Sequence, residues 1–271
     1  MANPDHADAF RQGLDVWVRY LPSLDERADL SGEDFAGQGL RQAMLRDTDL
    51  SACLFAGADL RDSDLRSANL TEASFDGASL VFANLSRAEA RGASFRDARL
   101  DGATLWKMKA QGARFAGANM TRVGAASAKF DRSDFTGADL GEAILERSSL
   151  RGARLDGAKL DGAMVRGADL RDTSLREATL RDAILDGAKL PIARLRSAEV
   201  TGASFKGCDL RGAALAGHSL VRVDLTGADL RGADLRGADF QGAALEGPGS
   251  TVPSSTVRWC EAPTFGTPLC A

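Results

Sequence analysis

The sequence predicts an all-β solenoid with a continuous dry interior, and three regularities carry that prediction. From Leu30 to Leu245 every fifth residue is Leu, Phe, Met or Val at 41 of 44 positions, with Ala90, Ala110 and Ala125 as the exceptions and no residue inserted or deleted. Two places before this centre residue, Ala stands at 31 of the 44 positions, with Ser, Thr, Cys or Val at most of the rest. Two places after it stand 23 of the chain's 29 glycines.

A period of five matches neither the 3.6 of an amphipathic helix nor the 2.0 of a strand in a flat sheet. One large and one small apolar residue per unit point inward and three polar ones outward. Glycine two places after the centre supplies the positive φ that the third position of a type II turn requires. Each unit therefore reads as a very short extended segment followed by a corner. Phe35, Phe55, Phe75, Phe95, Phe115 and Phe135 recur every 20 residues, and Leu155 to Leu235 continue the series. Coils that stack like on like place four units in each coil, so 44 units predict eleven coils, a rod roughly 50 Å long at ~4.8 Å per coil.

The units read A(D/N)LXX, as in Ala58-Asp59-Leu60, Ala68-Asn69-Leu70, Ala138-Asp139-Leu140 and Ala228-Asp229-Leu230. In this the chain resembles the pentapeptide-repeat proteins over about four fifths of its length. The resemblance implies a right-handed quadrilateral β-helix, the handedness coming from the family and not from the spacing. It does not select a function, because members with unrelated roles share the repeat.

Three segments follow: 1–27, an N-terminal capping helix and lead-in; 28–247, the repeat; and 248–271, a Pro-rich tail with a Cys pair. Asn3-Pro4 reads as an N-cap followed by Pro at the first helical position. Phe10, Leu14, Trp17 and Leu21 then fall on one face of a single helix that Pro22 ends. A solenoid end needs a cover, so the helix is read as a cap, with a partner-binding helix as the alternative. Glu33 and Gln38 occupy the small inward place of the first coil and predict a wet, partly open end.

Further along, Met108 with Ala110, and Val123 with Ala125, exchange large and small at nearly constant volume. Ala90 lacks such compensation beside Ala88, so a local void or an inward lean of a neighbour is expected there. Cys53 and Cys208 fill the small inward place as inert substitutes for Ala or Ser. His218 fills it too, and reads as a tolerated core residue in preference to a ligand. In the tail, Cys260 and Cys270 have no further His or Cys pair to complete a four-ligand zinc site. They form either a small disulfide loop in an oxidising setting or two free thiols. Trp259, Phe265 and Leu269 are expected to fold back over the last coil.

The formal net charge of −4 is small for 271 residues. It implies neither nucleic-acid binding nor a strongly acidic partner. There is no Sec-type signal and no apolar stretch of the ~20 residues that a membrane span needs. The expectation is a cytoplasmic bacterial protein, with signal-less export left open. Phosphate loops, GxGxxG and HExxH are absent, so no enzyme activity, cofactor or metal is expected.

The best-known activity in the family that the chain resembles, modulation of DNA gyrase by a rod mimicking duplex DNA, needs an extended anionic stripe. The four faces carry nine acidic and nine basic, seven and seven, nine and seven, and six and seven residues. Every face is close to neutral, and Asp before and Arg after a centre, as at Asp169 and Arg171, predict surface ion pairs. What remains is a rod that binds protein. Ile144, Met164 and Ile184 occupy one outward place in three successive coils. Val81 and Phe82 are adjacent outward residues, and Trp106 shares the face of Ile144. Scattered surface hydrophobes would look the same; the functional reading is a partner or homodimer surface at Ile144, Met164, Ile184, Phe82 and Trp106. A gyrase modulator and an accessory or effector of a bacterial secretion system are the alternatives.

Overall fold

The computed structural model describes residues 2–21, 27–190, 195 and 197–245. Every β-bridge in the array is parallel and joins residue i to residue i+20, from Asp29 with Asp49 to Asp224 with Ala244. Each coil is thus laid directly on the one before it, four units further along the chain. The hydrogen bonds repeat with the same register. The Leu30 N–H donates to the Asp49 carbonyl at 2.8 Å and the Asp49 N–H to the Ala28 carbonyl at 2.8 Å, and the pattern persists to Leu225 with Ala244. No side is longer than a bridge flanked by turns, so it is stacking between coils, not strand length, that satisfies the backbone.

The corners share one conformation. At each, the N–H of the small inward residue donates to the centre carbonyl three places back, as from Ala43 to Leu40 at 3.1 Å, and the residue between them has positive φ. Sequence reasoning assigned that conformation to glycine. The structure gives it equally to Asp, Glu, Arg, Ser, Lys, Gln, Ala and Phe, at φ between 54° and 70°. An L-residue in this region costs roughly 1 kcal/mol or more. The cost is offset because the same residue's N–H is held by the next coil, as Asp62 is by the Val81 carbonyl at 3.0 Å. Glycine itself is required where the next space is taken: a Cβ on Gly102 would run into the Phe82 ring.

The interior is filled by the centre residues and the small residues between them, nearly all of them fully buried. Phe55, Phe75, Phe95, Phe115 and Phe135 stack with centroids 4.8–4.9 Å apart and rings within 6° of parallel. Phe35 joins them at 5.1 Å with a 26° tilt. Ala90 and Ala110 stand in the same column as Phe130, whose ring lies edge-on to Phe115 at 5.7 Å and Phe135 at 5.3 Å. Met108 and Val123, the large members of the exchanged pairs, are fully buried.

The N-terminus differs from the single helix expected. Two short helices form, α1 (Pro4–Arg11) and α2 (Leu14–Tyr20), because Gly13 adopts φ 114° and ψ 162°, outside any helical region. Asn3 caps α1 by accepting the Asp5 N–H at 3.0 Å. The break folds both helices beneath the first coil. The Phe10 ring meets Phe35 edge-on at 5.0 Å and Trp17 at 5.2 Å, extending the aromatic column downward. Fully buried Trp17 donates its indole N–H to the Met44 carbonyl at 2.7 Å.

Buried His6 accepts the Asp29 N–H on Nδ1 at 3.0 Å, so a side chain satisfies a donor of the first coil. Arg27 spans the lower coils through the carbonyls of Asp47, Thr48 and Ser67, at 2.6, 3.2 and 3.1 Å. Glu33, expected at an open wet end, is paired with Arg11 of α1, while Gln38 is exposed. The assignments made for Pro22 and for 248–271, including Cys260 and Cys270 and the Trp259, Phe265 and Leu269 flap, lie outside the described residues.

Replacing Phe75 by Ala removes a ring held between two others and leaves a cavity that the stacked coils cannot close. The expected loss is about 3–5 kcal/mol, read as a lower urea midpoint followed by far-ultraviolet circular dichroism. A loss no larger than that of an outward Ser→Ala change would contradict the stacked interior.

Candidate interaction surface

One pattern recurs among the polar residues in the small inward place. Several reach the centre carbonyl 23 residues back, one coil below: Cys53 to Leu30 at 2.9 Å, Ser133 to Ala110 at 2.7 Å, Thr173 to Leu150 at 2.9 Å and Cys208 to Leu185 at 3.0 Å. His218 follows the same pattern with Nε2 2.6 Å from the Leu195 carbonyl. Ser148 donates instead to the Leu145 carbonyl of its own corner at 2.7 Å, and the buried Ser63 hydroxyl has no partner among the described residues. Since a carbonyl only accepts, Nε2 of His218 carries the proton. Burial pushes the Cys53 and Cys208 thiols up to about 12, so neither is a nucleophile near neutral pH. Most of the polar inward groups are therefore engaged in hydrogen bonds to the coil carbonyls.

Many of the outward charges are engaged in a different way. In every Asp-Leu-Arg unit the Asp before the centre accepts the backbone N–H of the Arg after it, and the guanidinium returns to grip the same carboxylate. In the pair Asp59 and Arg61 the Nε donates to Oδ1 at 2.7 Å. The same fork forms at Asp64, Asp169, Asp209, Asp229 and Asp234 with the Arg two places on. The Arg hydrogen bond holds the carboxyls of Asp59, Asp229 and Asp234 down to about 2. A second group of Asp residues, just after the centre, accepts the hydroxyl of a Ser 18 residues on, as Asp156 does from Ser174 and Asp186 from Ser204. These local pairings leave no continuous anionic stripe on the described surface.

The family model for pentapeptide repeats matches this chain in overlapping stretches from residue 34 to residue 247. The chain belongs to the pentapeptide-repeat family. Membership implies that the β-helix is right-handed. No curated protein matches. Among solved structures, the chain is similar to HetL, a pentapeptide repeat protein involved in heterocyst differentiation regulation from the cyanobacterium Nostoc sp. strain PCC 7120. The identity is 27% over 88% of this chain and 98% of that one, with a TM-score of 0.44. It is also similar to full-length QnrB1, a plasmid-mediated fluoroquinolone resistance protein, at 20% identity over 80% and 92% of the two chains, with a TM-score of 0.40.

On this pentapeptide-repeat coil the bridges place Ile144, Met164 and Ile184 directly above one another, each half-buried by its neighbours. Trp106 lies on the same face and is 36% exposed; Phe82, at the corner leading into that face, is 65% exposed. Val81, grouped with Phe82 in the sequence, is instead buried. Met44, in the same column as Ile144, and Leu54, on the Phe-ladder face, are also exposed and were not singled out from sequence. The repeat register alone would have placed them outward.

The Asp–Arg forks have a definite pH signature. Because the arginine lowers every fork carboxyl below its usual value of about 3.9, the contribution is complete above about pH 4 and is lost as the pH falls through the lowered value, about 2 for Asp59, Asp229 and Asp234. A carbon-detected titration should place the Asp59 carboxyl near 2, and Arg61→Gln should return it toward the usual value. An unchanged midpoint in the variant would show that the fork does not form in solution.

Proposed function

We propose that this pentapeptide-repeat chain is a non-enzymatic protein–protein interaction scaffold, a rod of about eleven coils roughly 50 Å long at ~4.8 Å per coil. The observation that carries the reading is the outward column of Ile144, Met164 and Ile184 on a face that also presents Trp106. An apolar column on a largely polar and charged lattice offers a place where a partner gains by excluding water. The non-enzymatic reading is supported by the carboxylate of each Asp-Leu-Arg unit being held by its own arginine, and by the His218 ring being held on the Leu195 carbonyl. No helix among the described residues is long and apolar enough to cross a membrane. Duplex-DNA mimicry is disfavoured, because the carboxylates it would present to a phosphate-binding site are already gripped by arginines.

Replacing Ile144, Met164 and Ile184 together by Ser tests the reading. The variant should keep its β-helix circular dichroism and lose the protein, or second copy, that the unmodified chain captures from its native cell extract. Equal capture by the folded variant would reject this face as the binding surface.

A further inference from the structure

The face bearing Ile144, Met164 and Ile184 has a cationic edge. Arg87, Lys107 and Arg147 stand in one corner column, and Lys129 stands in the next column around the coil. None of these four cations has a carboxylate partner among the described residues, whereas the neighbouring Lys109 is held by Glu89 at 2.7 Å. Trp106 packs against the same edge, its ring centroid 4.3 Å from the Lys107 ammonium and 4.9 Å from the Arg87 guanidinium. Between this edge and the apolar column, Glu146 and Asp186 are both engaged by Arg166, at 3.4 and 3.5 Å, so that strip keeps a single net negative charge, beside Arg147. The near-zero sum of charge over the whole face conceals Arg87 and Lys107 gathered around Trp106, with the apolar column following along the axis and Lys129 just around the corner on the adjacent face.

We propose that this face receives an α-helix of a partner protein lying along the rod axis, with carboxylates at one end over Arg87, Lys107, Lys129 and Trp106 and apolar side chains over Ile144, Met164 and Ile184. This deepens the interaction-scaffold reading and rests on it. Charge complementarity sets the acidic end. The helical form follows from the backbone. On a face, every coil is already hydrogen-bonded to the coils above and below, so no open edge remains to add a strand. A docking segment must satisfy its own amides, as a helix does.

The dimensions agree. Coils repeat at ~4.8 Å and helical turns at ~5.4 Å, so successive turns meet successive coils. The track from Arg87 to Ile184 covers about five coil spacings, ~24 Å, or about 16 helical residues. Thr104 and Gly124, in the central column beside Trp106, leave room for the approach. A nucleic acid would use the cations but leave the apolar column uncovered, and the cationic column gives way to glycine after Arg147.

The test uses the full chain and fluorescence anisotropy. The probes are a labelled helical peptide of about 16 residues, Glu-rich in its first two turns and Leu-faced in the rest, the same peptide with Lys for Glu, and a labelled DNA duplex of equal length. The Glu peptide should bind and the Lys peptide should not. The variant R87E/K107E/R147E should weaken the Glu peptide at least about tenfold and admit the Lys peptide. Glu is compatible with this corner conformation, since Glu72 and Glu142 already adopt it at φ 59° and 56°.

Lys129→Glu, away from the positive-φ corner, provides an independent variant with the same expected direction. Failure of the Glu peptide to bind, equal binding of both peptides, or indifference to both variants would overturn the proposal. DNA binding that the variants abolish, without peptide binding, would replace it with a nucleic-acid ridge. If the peptide fails while the Ile144, Met164 and Ile184 serine variant still loses its captured protein, the partner chemistry is rejected and the scaffold reading stands.

Discussion

The structure depends on a register of 20 residues between hydrogen-bonded positions. Sides this short cannot form a sheet within one coil, so each amide finds its partner only if the coil above repeats the geometry of the coil below. One inserted residue would turn every later centre residue outward and leave the following ladder unpaired, much as a one-residue slip does in a sheet. The uninterrupted run of 44 units follows from that constraint. The Phe column follows from it too, because strict stacking places a ring above a ring wherever the sequence keeps Phe at 20-residue spacing. Inward positions are therefore tightly specified and outward ones nearly free.

That division explains what could be read from the chain beforehand. The period of five, the interior residues and the four-unit repeat are consequences of burial, and burial leaves a pattern in composition. The helix break at Gly13 left none, because Phe10, Leu14, Trp17 and Leu21 keep helical spacing across it. Only the need to tuck Phe10 and Trp17 under the first coil reveals that the chain turns there. The corner conformation was attributed to glycine since glycine is the residue that adopts it without strain. In the folded array the next coil's carbonyl imposes it on Asp62 or Arg147 as well. Propensity identified the corner, and tertiary hydrogen bonding determined which residues it tolerates.

The candidate surface was partly legible for a related reason. Ile144, Met164 and Ile184 stand out because they break the outward polarity of the repeat. Summing charge over whole faces treats an Asp169 gripped by arginine and a Lys107 that lies on the Trp106 ring without a carboxylate as equal contributors. Pairing has a range of a few ångströms, so the sum of a face says little about any one patch on it. The Asp-Leu-Arg fork is encoded locally, within three residues. Whether Arg87 or Lys129 finds a carboxylate among the described residues depends on which residues stand in the neighbouring coils.

The apolar column acts in two directions at once. Each of its side chains is half covered by the coils above and below, so the column contributes cross-coil packing to the rod while leaving its outer half in water. A partner gains only the exposed half, which argues for an area-limited contact that needs additional chemistry to be specific. The cations beside Trp106 supply that chemistry in a form that costs the rod little, since they lie at corners where the repeat already accepts charged side chains of either sign. Uniform, self-neutralised units make a poor recognition surface by themselves. Recognition on such a rod must come from positions where the lattice departs from its self-neutralised units, and the edge from Arg87 to Arg147 is where cations without a carboxylate partner meet an exposed aromatic ring and the apolar column.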